Sequence, residues 1–374
     1  MGNTRIDDAA VQALLDRARR EVDQGHLPSV QIALGHEGEI VVEEVFGNAD
    51  LNTRYCIFSA TKPFVASTVW TLIAEGALDP ARPVATWFPE FGENGKAAIT
   101  LEQVMLHTSG FPSAPLGPPA WSTRDTRVER MASWRTNWEP GTRYEYHPTA
   151  AHWVLAELID RTTDTDYRDV VQARVTGPAG LPRILGIPAD QQDGMADLVL
   201  VGEPATPDEL EAVFGVRDLP ATEVTDEVVM RFNDPAVREL GVPGGGGCAR
   251  ARDLAAFYQE LLHNSHGIWP APQLADWTGT VRNNLPDPMG VPANRSLGLI
   301  LAGDDGRSNL RGMGRTVSAQ TFGHNGAGGQ LAWADPATGL SLGYVTNGYD
   351  VHAIREPRRG TSIASLAAVC AVAP

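Results

Sequence analysis

The chain has 374 residues, 43% hydrophobic and 20% charged, which is enough to bury a sizeable core in one large domain. Its net charge of −16 and isoelectric point near 5.0 argue against nucleic-acid or anionic-membrane binding, both of which need a basic surface. Cys56, Cys248 and Cys370 are widely spaced and odd in number, so neither a disulfide framework nor a metal-ligand spacing shows.

In chain order, residues 7–24 predict an amphipathic helix, with Ala10, Leu14, Leu15 and Ala18 at helical spacing. The β-rich runs 29–34 and 39–45, separated by Gly35-His36-Glu37-Gly38, predict a hairpin. Residues 59–75 predict a helix with a buried stripe of Val65, Val69, Leu72 and Ile73, capped by Gly76. Further helices are expected over 101–106, 149–161 and 252–263. The stretch 181–243 is rich in proline, glycine and acids and gives no clear order of elements. Gly244-Gly245-Gly246-Gly247 lacks a following Gly-Lys-Ser/Thr, so it reads as a tight backbone turn and not as a phosphate cradle. Runs 296–301, 319–323, 330–335 and 340–346 predict antiparallel strands, and 361–372 a final helix.

Strands at both termini with helices between them predict an α/β (α+β) fold. It has one antiparallel sheet flanked by helices and an inserted, mainly helical lobe. The expected division is a single domain, 1–374. An α/β lobe takes about 1–80 plus 245–374, and the helical lobe about 81–244. There is no apolar leader-like segment and no apolar run long enough to span a bilayer, so a cytoplasmic location is expected.

Candidate chemistry begins at Phe58-Ser59-Ala60-Thr61-Lys62. A serine and a lysine three residues apart share one helix face. A lysine held neutral by burial can take the proton from the Ser59 hydroxyl. The plain alternative is a surface lysine in a first helical turn. Lysine is scarce, however: Lys62 and Lys96 are the only two in the chain. Pro63 requires the helix to begin here, which puts Ser59 at its mouth. No Gly-x-Ser-x-Gly, His-Glu-x-x-His or clustered Cys/His is present, so no nucleophile elbow and no metal site is expected.

Further pieces follow in order: His107-Thr108-Ser109-Gly110, Pro140-Gly141 with Tyr144-Glu145-Tyr146, the glycine turn before Cys248, Arg252-Asp253-Leu254, and Gly323-His324-Asn325-Gly326-Ala327-Gly328-Gly329. This series, spread over about 28–371, resembles the serine β-lactamase and penicillin-binding-protein superfamily. It is most similar to the class C-type branch that includes family VIII carboxylesterases and related acyltransferases. The resemblance implies a β-lactamase-like fold, with Ser59 as acylated nucleophile, Lys62 as its proton acceptor and Tyr146 as base or proton relay. It also implies an oxyanion hole from the backbone N–H groups of Ser59 and Ala327. His324-Asn325-Gly326 would stand in place of the Lys-Thr-Gly element beside the substrate.

Two departures set the expected substrate. Pro148 replaces the asparagine of Tyr-x-Asn, and His324 replaces the lysine of Lys-Thr-Gly, which removes a fixed positive charge for a β-lactam or peptide carboxylate. The expectation is therefore a serine hydrolase of small carboxylic esters, without metal or organic cofactor. It would act on a small molecule and bind neither nucleic acid nor membrane. The alternatives are an acyltransferase of the same fold, an amidase, β-lactamase or D-peptidase, and an inactive binding homologue. Trp121, Trp134, Trp138, Phe111 and Phe214 are candidates for an apolar substrate pocket, with Trp121 and Trp138 foremost.

Overall fold

The computed structural model describes residues 4–219 and 225–372. Its centre is a six-stranded antiparallel sheet drawn from both ends of the chain. In spatial order the strands are Glu39–Gly47, Ser29–His36, Leu340–Thr346, Leu331–Asp335, Phe322–Gly323 and Ile300–Leu301. The N-terminal hairpin closes through Glu37 and Gly38, both at positive φ (51° and 88°), the geometry that matches strand twist in a two-residue turn.

Ser29–His36 is buried at all eight positions because helices cover both faces of the sheet. Val30, Ile32 and Leu34 pack with Leu342 and Tyr344 against Leu14 and Ala18 of helix Asp8–Asp23 and Ile363 of helix Arg355–Ala368. Ala33 and Val345 face the other way, toward Leu254 and Phe257 of helix Ala251–His263. That helix lies so close that a Cβ on Gly343 would stand 2.0 Å from the Ala251 carbonyl, so only glycine fits there.

The helix that opens near Ser59 has two parts, a 3-10 turn over Phe58–Thr61 and an α-helix over Lys62–Ala74. Pro63 falls in the first α-turn, where a missing N–H costs no hydrogen bond. The expected single buried stripe understates the packing. Every residue from Lys62 to Leu72 is buried, because the helix is enclosed on all sides. Phe64 stacks on Phe257 with ring centroids 3.9 Å apart, and Trp70 stacks on Trp277 at 5.5 Å.

Three expectations need correction. The strands expected over 296–301 and 319–323 shrink to Ile300–Leu301 and Phe322–Gly323. Gly298, at φ 102°, turns the chain just before the first of them. The final helix runs Arg355–Ala368, not 361–372, and Ala371–Val372 instead pairs antiparallel with Arg5–Ile6. Backbone hydrogen bonds to the chain start outweigh the helical periodicity there. Within 181–243, strand Val199–Val201 pairs in parallel with Gly348–Asp350, and helices Pro207–Phe214, Asp226–Met230 and Pro235–Leu240 follow. Residues 220–224 of that stretch lie outside the described residues.

Candidate active site

The site is built at the start of the buried helix. Phe58 takes a left-handed backbone (φ 42°), rare for a residue with a side chain. Its ring is clamped edge-on by Phe232 at 5.4 Å and Tyr349 at 5.9 Å, which holds the strained turn. Ser59 follows, half-buried, with its hydroxyl at the meeting of two cavities.

Three groups converge on Ser59. The Tyr146 hydroxyl donates to Ser59 Oγ at 2.9 Å, and Lys62 Nζ lies 3.1 Å from the same oxygen. Lys62 Nζ also donates to the carbonyls of Pro148 (2.7 Å) and Gly244 (2.6 Å). Lys62 is wholly buried and none of these partners is a carboxylate. Burial, then the nearby Arg295 cation, holds its pKa well below the ordinary lysine value. A neutral amine has two N–H groups and one lone pair. With both N–H groups on carbonyls, the lone pair is left for the Ser59 hydroxyl proton. Tyr146 is pushed the other way: burial raises its pKa, so its phenol keeps the proton it donates.

The glycine turn is the tightly packed element its composition predicts. Gly247 N donates to Thr61 Oγ1 at 2.9 Å, and Ile57 N donates to Gly247 O at 2.9 Å. Gly244 thereby presents its carbonyl to Lys62. His147 orders the Tyr146 segment. Its Nδ1 bonds Glu145 O at 2.7 Å, and its Nε2 accepts from Phe111 N at 3.2 Å. Burial lowers its pKa to about 4, which suits that acceptor role. His107 accepts the backbone N–H of His147 at 3.1 Å and lies 4.9 Å from the Tyr146 ring, a supporting position.

His324 comes to the same place from the sheet, its ring 5.7 Å from that of Tyr146. Burial, and then the Arg295 charge, hold its pKa well below the usual value and keep it neutral. The Asn325 side chain is committed to the scaffold, donating to Gly312 O and accepting from Ala332 N. Gly326 passes so close to Ile57 that a Cβ would stand 2.1 Å from its carbonyl oxygen. Ala327 lines both cavities together with Ser59 and Tyr146.

The first cavity, about 540 Å³, is largely apolar, with Trp121, Phe232, Leu116 and Tyr349 among its walls. The second, about 380 Å³, is more polar and holds Arg295, His324 and Asn325. Trp138 lines neither. Its ring packs edge-on to His147 at 6.4 Å and under the Arg143 guanidinium at 4.8 Å. Trp134 and Phe111 are core residues, packed on each other at 5.6 Å, and Phe214 is 41% exposed at the end of a surface helix. Of the five aromatic candidates, only Trp121 faces a cavity at Ser59.

The family model described as Beta-lactamase matches residues 8–364. The chain belongs to the beta-lactamase family. As a member of this family it is a serine hydrolase. Among its relatives, the esterase/beta-lactamase LipL of Mycobacterium tuberculosis is 29% identical over 314 residues, 78% of this chain and 68% of that protein. Esterase EstB of Burkholderia gladioli is 29% identical over 200 residues, covering 46% of this chain and 50% of EstB. A solved penicillin-binding-protein homologue from Caulobacter crescentus superposes over 96% of this chain and 97% of its own (TM-score 0.79, 24% identity). A family VIII carboxylesterase does so over 95% and 96% (TM-score 0.74, 25% identity).

Within this beta-lactamase-family site, three contributors carry no local sequence signal: Arg295, Phe232 and the Gly244 carbonyl. Arg295 is one of many arginines, and Phe232 lies in the stretch that gave no order. A backbone carbonyl is invisible to residue-type reasoning.

Proposed function

We propose that the protein hydrolyses small carboxylic esters through an acyl-enzyme on Ser59. One observation carries this reading: the chain Tyr146 Oη to Ser59 Oγ to Lys62 Nζ, with both remaining Lys62 contacts on backbone carbonyls. Ser59 Oγ attacks the ester carbonyl as its proton passes to Lys62. The backbone N–H groups of Ser59 and Ala327 hold the developing oxyanion. Tyr146 delivers a proton to the departing alkoxide, and the proton that Lys62 took from Ser59 restores the phenol, so one proton in all passes from Ser59 to the alcohol. The alcohol leaves, water attacks the acyl-enzyme along the same path in reverse, and the carboxylic acid is released.

Esters are favoured over amides on two grounds. Pro148 offers no side-chain amide to an amide substrate, and a neutral His324 offers no fixed charge. Both LipL and EstB are named as esterases, LipL also as a beta-lactamase, which supports ester cleavage. A cytoplasmic site of action belongs to the same proposal, because Cys56, Cys248 and Cys370 are free and buried, which suits a reducing compartment.

The test is incubation with a fluorophosphonate followed by intact mass and peptide mapping. One adduct on Ser59, with loss of p-nitrophenyl butyrate turnover, is expected. A label on Ser109 instead, or none on native protein, removes the proposal.

A further inference from the structure

We propose that the cavity between helices Asp8–Asp23 and Arg355–Ala368 is a second binding site, for a small molecule that carries a phosphate group beside an apolar part. It stands apart from the ester site and does not depend on how that site is read. The cavity is about 510 Å³ and shares no lining residue with the two cavities at Ser59. Five arginines line it: Arg17 and Arg20 from the first helix, and Arg355, Arg358 and Arg359 from the second. This concentration is local, since the chain as a whole carries a net charge of −16.

The carboxylates nearby do not balance these arginines. Glu21 and Glu209 are the acids on the wall, and Asp350 is buried behind it. Arg17 donates to Glu21 Oε1, and Arg355 grips both Asp350 oxygens at 2.7 Å. Arg359 is 1% exposed and donates to Glu21 Oε2 and Asp350 Oδ2 at 2.6 Å each, yet its Nη1 is buried without a partner. Arg20 and Arg358 are exposed and have no carboxylate partner among the described residues. Glu209 is held by Thr206 at the start of its own helix and comes no nearer than 4.0 Å to His352 Nε2. Five cations against three anions leave two positive charges. Glu356 answers one of them at most, for its carboxyl stands beside Gly329 and burial pushes it toward the neutral form.

The placement of the charges points the same way. Arg355, Arg358 and Arg359 fall in the first five residues of their helix, the end where the helix dipole favours anions and disfavours cations. A bound anion removes that conflict. A phosphate group brings about two negative charges and three acceptor oxygens, which match two open guanidiniums better than a carboxylate does. His26, Gln24 and His352 also line the cavity, and Ala212, Val213 and Ile354 give it an apolar wall for the rest of the molecule.

The experiment is calorimetric titration of the full chain, at low salt, with phenyl phosphate and with inorganic phosphate. Phenyl phosphate is expected to bind one to one, at least about tenfold tighter than inorganic phosphate. Arg20→Gln and Arg358→Gln should each weaken it by about tenfold or more, and added salt should weaken it further. Both side chains are exposed, so melting temperatures close to wild type are expected. Arg295→Gln, which alters the polar cavity at Ser59, should bind phenyl phosphate as the wild type does. No binding at millimolar phenyl phosphate overturns the proposal, and so does an affinity unchanged in the Arg20→Gln/Arg358→Gln double variant. Binding lost in Arg295→Gln but kept in the double variant places the ligand at Ser59 and also overturns it. Equal affinity for the two probes removes the apolar part and assigns the site to free phosphate.

Discussion

The side-chain nitrogen of Lys62 donates to the carbonyl of Gly244 at 2.6 Å, across 182 residues of sequence. With the Pro148 carbonyl at 2.7 Å, this contact occupies both N–H groups of a neutral amine and turns its lone pair to Ser59. The glycine turn is thus a positioning element for the proposed base.

If Lys62 accepts the Ser59 proton, arginine cannot replace it, since a guanidinium stays protonated at working pH. Lys62→Arg is expected to lose at least about a hundredfold in acylation rate, close to Lys62→Ala. Rapid-mixing kinetics with p-nitrophenyl butyrate, with circular dichroism as a folding control, measures this. A folded Lys62→Arg enzyme acylating within a few-fold of wild type would take the base role away from Lys62.

The pH profile follows from the direction of the Lys62 shift. Burial, and then the Arg295 charge, depress its pKa in the folded protein. The active form is the neutral amine, so acylation should rise with pH through that depressed pKa and level off above it. The rising limb should lie well below the ordinary lysine range. Arg295→Met removes a repelling cation, which raises the Lys62 pKa and moves the limb to higher pH. A limb that stays put, or moves down, contradicts the electrostatic account.

Tyr146 keeps its proton because burial raises its pKa, so it serves as donor and not as standing phenolate. Tyr146→Phe should therefore lower ester turnover by about a hundredfold or more while leaving Ser59 open to fluorophosphonate, whose leaving group needs no proton. Loss of labelling in step with turnover would point instead to Tyr146 as the base.

Gly247→Ala tests the turn itself. The new Cβ would stand 2.6 Å from Thr61 Oγ1, which accepts the Gly247 N–H, and 3.2 Å from Ile57. Overpacking of this kind costs about 1–3 kcal/mol. The denaturation midpoint should fall accordingly, and a variant as stable as wild type would show that the turn yields easily.

Much of the fold could be read from local pattern. The Ala251–His263 helix has an amphipathic periodicity of its own, the hairpin shows as two β-rich runs around Glu37-Gly38, and the helix after Ser59 shows as an apolar run between Pro63 and Gly76. The pairing of Ser59 with Lys62 is legible for the same reason, since three residues along a helix are neighbours whatever surrounds them. Tyr146 and His324 could be named from the order of motifs, because each sits in a recognisable turn.

What the sequence could not supply is direction and surroundings, which depend on contacts between residues far apart in the chain. Trp121 and Trp138 look alike as residues, yet one faces a cavity and the other packs on His147. The short strands beside Gly298 and the recruitment of Ala371–Val372 were decided by partners from elsewhere. So was the character of Lys62. A lysine's charge state depends on what encloses it, and here that is two carbonyls and the Arg295 cation, none of them near it in sequence. Arg295 reaches the cavity from a segment outside the six strands, held by backbone bridges to Asn283 and Ile300, and its lack of a carboxylate partner among the described residues is a property of the packed molecule alone.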